Sequence, residues 1–320
     1  MKVFLAGGSG AIGKRLVPML VAAGHSVVAT TRTPAKMNGL RELGARPVAL
    51  DALDRSAVMK AVASAAPDVV VHELTALSMM HNLKRFDEEF AITNRLRTEG
   101  AQYLLEAAQA AGARRFVAQS YTGFPNIRVG WRIKTEDDPL DPNPPEPTRR
   151  TFETIRQLEA KVMSAGNLER IVLRYGSFYG PGTSMGPGGE IVALVRQRRF
   201  PIFGDGAGVW SFVHIDDAAA ATRVAVEGGP EGIFNIVDDE PAEVSVWLPE
   251  LARIIGAKPP YRLPAWLGRL VIGEAGMSMM TKVRGSSNEK AKRLLRWKPI
   301  YPTWRDGFHQ MLASERADAA

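Results

Sequence analysis

The sequence contains no cysteine, which removes disulfides, thiol nucleophiles and cysteine-ligated metal sites together. It also lacks any uncharged apolar run near the ~18 residues that a membrane helix needs. The nearest candidate, residues 264–280, is broken by Arg269 and Glu274, so no membrane span is expected. No internal repeat or low-complexity tract interrupts the chain. The net charge of +7 comes without a recognisable nucleic-acid-binding motif, although basic residues gather at Arg196, Arg198 and Arg199 and again across residues 282–298. That charge reads as solvated faces and attraction for an anionic ligand, and no nucleic-acid partner is expected.

What is present is organised around residues 1–13, MKVFLAGGSGAIG. Residues 3–6 are an apolar run with strong strand formers, and Gly7, Gly10 and Gly13 follow before a helical pattern through Ile12, Leu16, Met19 and Leu20. The order is strand, tight turn, helix. Such a turn lets backbone N–H groups close on a pyrophosphate, because glycine has no Cβ to hold the phosphate off and a helix N-terminus carries partial positive charge. The spacing is GxxGxxG rather than the GxGxxG dinucleotide fingerprint, and the alternative is an ordinary glycine-rich turn. With residues 3–6 serving as a core strand, no signal peptide and a cytoplasmic location are expected.

Length and composition, 320 residues with 45% apolar and 23% charged, predict one large α/β domain or two intimately joined ones. Strands are predicted at 26–30 (SVVAT), near 46–50, at 68–72 (DVVVH), 115–119 (RFVAQ), 170–174 (RIVLR), 209–213 and 232–237. Helices are predicted at 55–65, 86–111 and 149–165. The alternation predicts a Rossmann-type, doubly wound parallel sheet with ligand at the carboxyl ends of its strands. The end of the second strand bears on cofactor choice. An NAD site usually carries a carboxylate there, yet the chain reads Thr30, Thr31, Arg32, with Lys36 just beyond. NADP is therefore expected over NAD, unless Arg32 is only a solvated loop cation.

Residues 124–147 hold six prolines and an acidic patch at Glu136, Asp137 and Asp138, which predicts a loop over the site. Residues 176–189 hold six glycines and two prolines and read as a mobile loop. Proline breaks beyond Glu240 predict a smaller C-terminal substrate-binding cap. The expected division is 1–178 with 209–238 for the dinucleotide-binding part, and 179–208 with 239–320 for the cap.

Taken in order, these segments resemble the extended short-chain dehydrogenase/reductase superfamily, in its epimerase/dehydratase-like and atypical branches. The resemblance is carried by GGSGAIG at 7–13, the run at Asp51, VVVH at 69–72, Asn94, RFVAQS at 115–120 and TEDDPLDP at 135–142. It continues through LRYGSFYGPG at 173–182, FGDG at 203–206, WSFVHIDDAA at 210–219 and KAKRLLRWKPIYPTWRDGF at 290–308. It implies that Gly7, Ser9, Gly10, Ala11, Ile12 and Gly13 hold the pyrophosphate. By the same resemblance Asp51 and Ala52 lie at the adenine and Leu74, Thr75 and Ala76 at the ribose, while Tyr175, Gly176, Ser177 and Phe178 lie beside the nicotinamide. His214 and Asn94 are read as structural. A homodimer through helices near 90–110 and 150–165 is implied as well.

The family's chemistry rests on a Tyr-x-x-x-Lys pair, in which the lysine lowers the tyrosine pKa for proton transfer. Aligned on Glu159, those positions are Thr151 and Ile155, and no tyrosine of the chain has a lysine four residues on. Three readings follow. The chain is an NADP-dependent reductase or epimerase-like enzyme acting on a small, apolar carbonyl or hydroxyl substrate, with Tyr121 as relocated acid, Ser120 and Thr122 orienting substrate and Lys134 as the cation. Alternatively it binds NADP without turnover as a redox sensor or interaction protein, or it catalyses a lyase or isomerase step. Trp266, Leu267, Leu270, Met277, Met279 and Met280 of the cap, with Met79 and Met80, are candidates for an apolar substrate surface, or else core or dimer contact. No metal site is expected.

Overall fold

The computed structural model describes residues 1–76 and 82–318. The strands predicted from apolar runs form one seven-stranded sheet. They are β1 (Lys2–Ala6), β2 (Ser26–Thr31), β3 (Arg46–Ala49), β4 (Val69–His72), β5 (Arg115–Tyr121), β6 (Glu169–Tyr175) and β7 (Gly232–Ile236). Their spatial order is β7-β6-β5-β4-β1-β2-β3, every pair parallel. The chain runs outward from β1 to β3, then returns to lay β4 on the other side of β1. That reversal opens a crevice at the carboxyl ends of β1 and β4, where ligands bind in sheets of this kind.

Strand periodicity explains how both faces are covered. Val3 and Leu5 of β1 enter a core with Leu16, Val17 and Leu20 of the helix Gly13–Ala22, while Phe4 and Ala6 enter a second with Val58, Val62 and Leu104. All four residues of β4 are buried, as its continuous valine run requires. A third core, around Phe212, Trp247, Trp304 and Phe308, draws on both segments of the expected division. Leu295 and Trp297, from the segment read as cap, pack into the first core instead. No described helix is long and apolar enough to cross a membrane.

Three local expectations are refined. The strand read at 209–213 is two short ones, Val209–Trp210 and Phe212–His214. The helical stretch from 86 is stepped: Phe86–Glu89, Ala91–Arg95, a five-residue π turn Leu96–Gly100, then Ala101–Ala110. In the glycine-rich loop, Ser177–Tyr179 pairs in parallel with Phe212–His214. Close approach, not mobility, accounts for Gly180 there. Its φ is +105°, and a Cβ would lie 2.5 Å from the His214 ring.

Beneath the crevice three buried polar groups tie β4, β6 and the helix Ile215–Glu227 together. The Tyr175 hydroxyl donates to Glu73 Oε1 at 2.9 Å and lies 2.6 Å from the Thr222 hydroxyl, while Glu73 Oε2 finds no partner. Burial pushes the Glu73 carboxyl from 4.5 up to about 8, against the two hydroxyls that pull it down. The folded chain therefore holds this proton where the unfolded chain releases it. Stability should fall as pH rises from about 4.5 to about 8 and level off above. Glu73→Gln mimics the protonated acid and should remove a loss on the order of 5 kcal/mol across that window, read as melting temperature against pH. Parallel melting curves for the two proteins would refute the assignment.

Candidate functional site

The glycine turn is shaped by backbone crowding. Gly7 has φ +101°, and a Cβ there would meet the Glu73 carbonyl at 2.4 Å; one on Gly13 would meet the Gly8 carbonyl at 2.4 Å. Only glycine fits at either place. A Cβ on Gly10 would touch only the Gly7 carbonyl, at 3.2 Å, so its other side is open. The turn is held by Gly10 N donating to Gly7 O at 3.0 Å, Gly7 N to Thr30 Oγ1 at 3.2 Å and Ser9 Oγ to Thr31 Oγ1 at 2.9 Å. The amides of Ala11 and Ile12 donate to no acceptor among the described residues. Unpaired amides at a helix start, opposite a position without a side chain, fit an anionic diphosphate.

Sequence reading passes over two supports of this turn. Gly8 backs onto β2, where a Cβ would lie 2.7 Å from that of Ala29. Arg15 donates to Asp216 at 2.5 Å and to the Pro181 carbonyl at 2.5 Å, tying the first helix to the loop after β6. The GGSG repeat signals the first; nothing local in the sequence signals the second.

Along the crevice, Arg32 is exposed at the end of β2 and makes no ion pair among the described residues. Asp51 is exposed, with one carboxylate oxygen accepting the Leu53 amide at 3.0 Å, and Ala52 is buried beside it. Leu74, Thr75 and Ala76 follow β4 directly, Ala76 donating its amide to Thr93 Oγ1 at 3.1 Å. The Tyr175 ring turns into the core, so that residue offers the crevice only backbone. The Gly176 amide is spent on Ile236 O, Phe178 packs on Tyr175, and Ser177 reaches the far end of the site.

At that far end β5 and β6 stop side by side, with Tyr121 opposite Tyr175. A narrow cleft opens beyond them, walled by Tyr121, Phe124, Ser177, Trp210, Met279 and Val283. The Tyr121 hydroxyl lies 3.3 Å from Ser177 Oγ, and burial pushes its pKa above the ordinary phenol value. It is a neutral donor at physiological pH. Its expected companions are engaged elsewhere. Ser120 donates to Glu159 at 2.6 Å, Thr122 lies 2.7 Å from the Ser286 hydroxyl, and Lys134 forms an ion pair with Asp138 at 3.1 Å. Of the cap residues read as substrate surface, Met279 lines the cleft, Met277 and Met280 are buried, and Trp266 and Leu270 are exposed. Met79 and Met80 lie outside the described residues.

Thr151 and Ile155 are both buried in the helix Arg149–Ser164. The Thr151 hydroxyl donates to Asp87 at 2.6 Å and accepts from Asn94 Nδ2 at 2.9 Å. Asn94 Oδ1 in turn accepts from Thr154 at 3.0 Å and, at 3.5 Å, from Arg97. Arg97 is a buried cation that motif reading misses; only its place one turn beyond Asn94 could signal it. His214 is structural: Nδ1 accepts the Asp216 amide at 3.2 Å, the ring stacks on Tyr301, and burial lowers its pKa to about 4. Asp217 accepts the amides of Ile300 and Tyr301. No cluster that could hold a metal occurs among the described residues.

Comparison with known proteins gives these features a lineage. A family model described as the NAD dependent epimerase/dehydratase family matches residues 3–236. A 3-diazoavenalumate denitrifying reductase of Streptomyces sp is 44% identical over 96% of this chain and 99% of its own. A 4-hydroxy-2-methyl-3-oxo-4-farnesyl-3,4-dihydroquinoline-1-oxide ketoreductase of Stigmatella aurantiaca is 29% identical over 81% of this chain and 74% of its own. Among solved structures, the UDP-glucose 4-epimerase of Thermotoga maritima with UDP-glucose superposes with TM-score 0.75, at 24% identity and full coverage of both chains. The UDP-glucose 4-epimerase of Thermus thermophilus in complex with NAD gives 0.72, at 24% identity and 99% of each chain. With the family model spanning most of its length and a relative so similar from end to end, the chain belongs to the NAD dependent epimerase/dehydratase family.

Proposed function

We propose that the chain is an NADP(H)-dependent reductase that replaces the diazo group of an aryl carboxylate by hydrogen. The observation that carries this reading is the loss of the proton-transfer pair. Thr151 and Ile155 stand at its two positions, with Thr151 locked between Asp87 and Asn94. A carbonyl reduction must deliver a proton to oxygen; displacement of dinitrogen from an electron-poor ring needs none. The residues of the crevice would hold a reduced nicotinamide, which would supply a hydride equivalent; for the diazo group in its cationic diazonium form, Ar–N2+ + H− gives Ar–H + N2, so atoms and charge balance without a protein proton. The relative that is 44% identical is named for a diazo substrate and a denitrifying reduction, which supports the same chemistry.

The residues take roles that follow from their positions. Gly7, Ser9, Gly10, Ala11, Ile12 and Gly13 hold the diphosphate, Asp51 and Ala52 the adenine, and Leu74, Thr75 and Ala76 the adjoining ribose. Arg32 meets the 2′-phosphate, where no acid stands to repel it. Backbone from Tyr175 to Gly176, with Ser177 and Phe178, borders the nicotinamide side. Tyr121 donates a hydrogen bond that orients the substrate, and Phe124 and Trp210 flank its ring. The protein works in the cytoplasm as a homodimer formed through the helices Ala101–Ala110 and Arg149–Ser164.

A second reading rests on the Tyr121–Ser177 hydrogen bond and the ketoreductase relative: a carbonyl substrate that takes its proton from Tyr121. One variant separates the two. Tyr121→Phe should keep kcat within about threefold on diazotised 3-aminocinnamate, the lost orienting hydrogen bond appearing as a raised KM, followed by loss of reduced-cofactor absorbance with stoichiometric N2. A drop of about 100-fold would instead mark Tyr121 as the proton donor. NADPH bound tightly without turnover of diazonium, ketone or enal would defeat the reductase reading in favour of a sensor.

Cofactor choice has its own test. Arg32→Ala should weaken NADPH about 10- to 100-fold by fluorescence titration while leaving NADH nearly unchanged, since one charge-assisted contact to phosphate is lost. An unaltered NADPH/NADH ratio would remove Arg32 from the site.

A further inference from the structure

Arginine is rarely buried without a partner, because a desolvated guanidinium must recover its lost hydration through hydrogen bonds and opposite charge. Three arginines are buried among the described residues. Arg115 holds Glu169 and carbonyls at the end of the helix Ile215–Glu227, and Arg174 holds Glu159 with bonds of 2.8 and 2.6 Å. Arg97 differs. It is 6% exposed, its one hydrogen bond is the long 3.5 Å contact to Asn94 Oδ1, and it has no carboxylate within ion-pair distance among the described residues.

The surroundings of Arg97 point to a ligand. The Phe90 ring lies 5.9 Å from the guanidinium, and the neighbouring acid, Glu159, is already occupied by Arg174 and Ser120. Phe90 packs in one cluster with Phe124, Tyr121, Trp210 and Met279, which wall the cleft, so the guanidinium over its ring lies behind that wall. It springs from the π turn Leu96–Gly100, an irregularity that re-aims side chains in a helix.

We propose that Arg97 binds the carboxylate of the substrate, its planar N–H fork closing on the two oxygens, and so supplies from the π turn Leu96–Gly100 the positive charge that Ile155 does not provide. The inference rests on the reductase reading for its substrate class. The fork matches a carboxylate bidentately, and the apolar walls of Phe124, Trp210 and Met279 suit the ring that carries it. The relative named for 3-diazoavenalumate also acts on a carboxylate by name.

Binding of a stable product-like pair tests it without turnover. With NADPH saturating, Kd is measured for cinnamate and for cinnamamide, its neutral isostere. The full chain should prefer cinnamate at least about tenfold. Arg97→Met should lose about 30-fold for cinnamate and stay within about twofold for cinnamamide, and Arg97→Lys should recover part of the loss. The amide serves as the folding control. No preference for the anion in the unmodified protein, an equal loss for both ligands, or a parallel rise in the NADPH Kd would overturn the proposal. Intact anion preference with no reduction of the diazonium would sink the reductase reading alone.

Discussion

The contact on which the rest of the molecule depends is the one between Gly7 and the carbonyl of Glu73. β1 and β4 are neighbours in the sheet, and the chain leaving each must turn within a residue or two. Any side chain on Gly7 would occupy the place of the Glu73 oxygen, so the two turns can nest only through a bare Cα. Because they nest, the first helix begins close above the sheet, its leading amides point into the crevice, and the acid carried by the second turn is forced down into the core. Cofactor cradle and buried acid are thus two results of one steric fact.

The opposite end of the crevice follows a different logic. There the scaffold is polar: Asp87, Thr151, Asn94 and Thr154 form a chain of hydrogen bonds that ties three helical segments together. By the alignment on Glu159, Thr151 stands where the resemblance places a tyrosine, and it hands its hydroxyl to that chain. By the same alignment, the buried Ile155 puts a hydrocarbon where the resemblance places a cation. The two changes are coherent, since a phenol without its lysine would keep an ordinary pKa near 10 and gain nothing as an acid. The cleft is walled by Tyr121, neutral by burial, and behind it stands an arginine without an acidic partner among the described residues.

The sheet half of the structure is legible in the sequence because its signals are local. Apolar runs mark the strand positions, and glycine spacing marks the turn. The site at the other end is legible only in part. Tyr121 can be placed from the end of its strand, but the companions assigned to it cannot, since each is defined by contacts between distant segments: Ser120 with Glu159, Thr122 with Ser286. Lys134 is instructive in another way. Its partner Asp138 stands four residues on, a spacing visible in the sequence, and a lysine already matched at that distance is a poor candidate for a distant site. Composition misleads at 176–189, because glycine marks close backbone approach as readily as mobility.

Arg97 shows why burial without pairing carries more functional information than burial or charge alone. In Arg174 the guanidinium is as buried, yet its charge is cancelled by Glu159, and the pair welds β6 to the helix Arg149–Ser164. That arrangement is complete in the apoprotein and asks nothing of a ligand. The Arg97 charge is incompletely answered, so the fold bears its desolvation cost unless something anionic arrives. A carboxylate that does arrive regains for the protein what the fold alone gave up. On the reading proposed above, the cation expected beside the tyrosine gives way to Arg97 on a neighbouring helical segment, with the task of holding the substrate rather than tuning a proton donor.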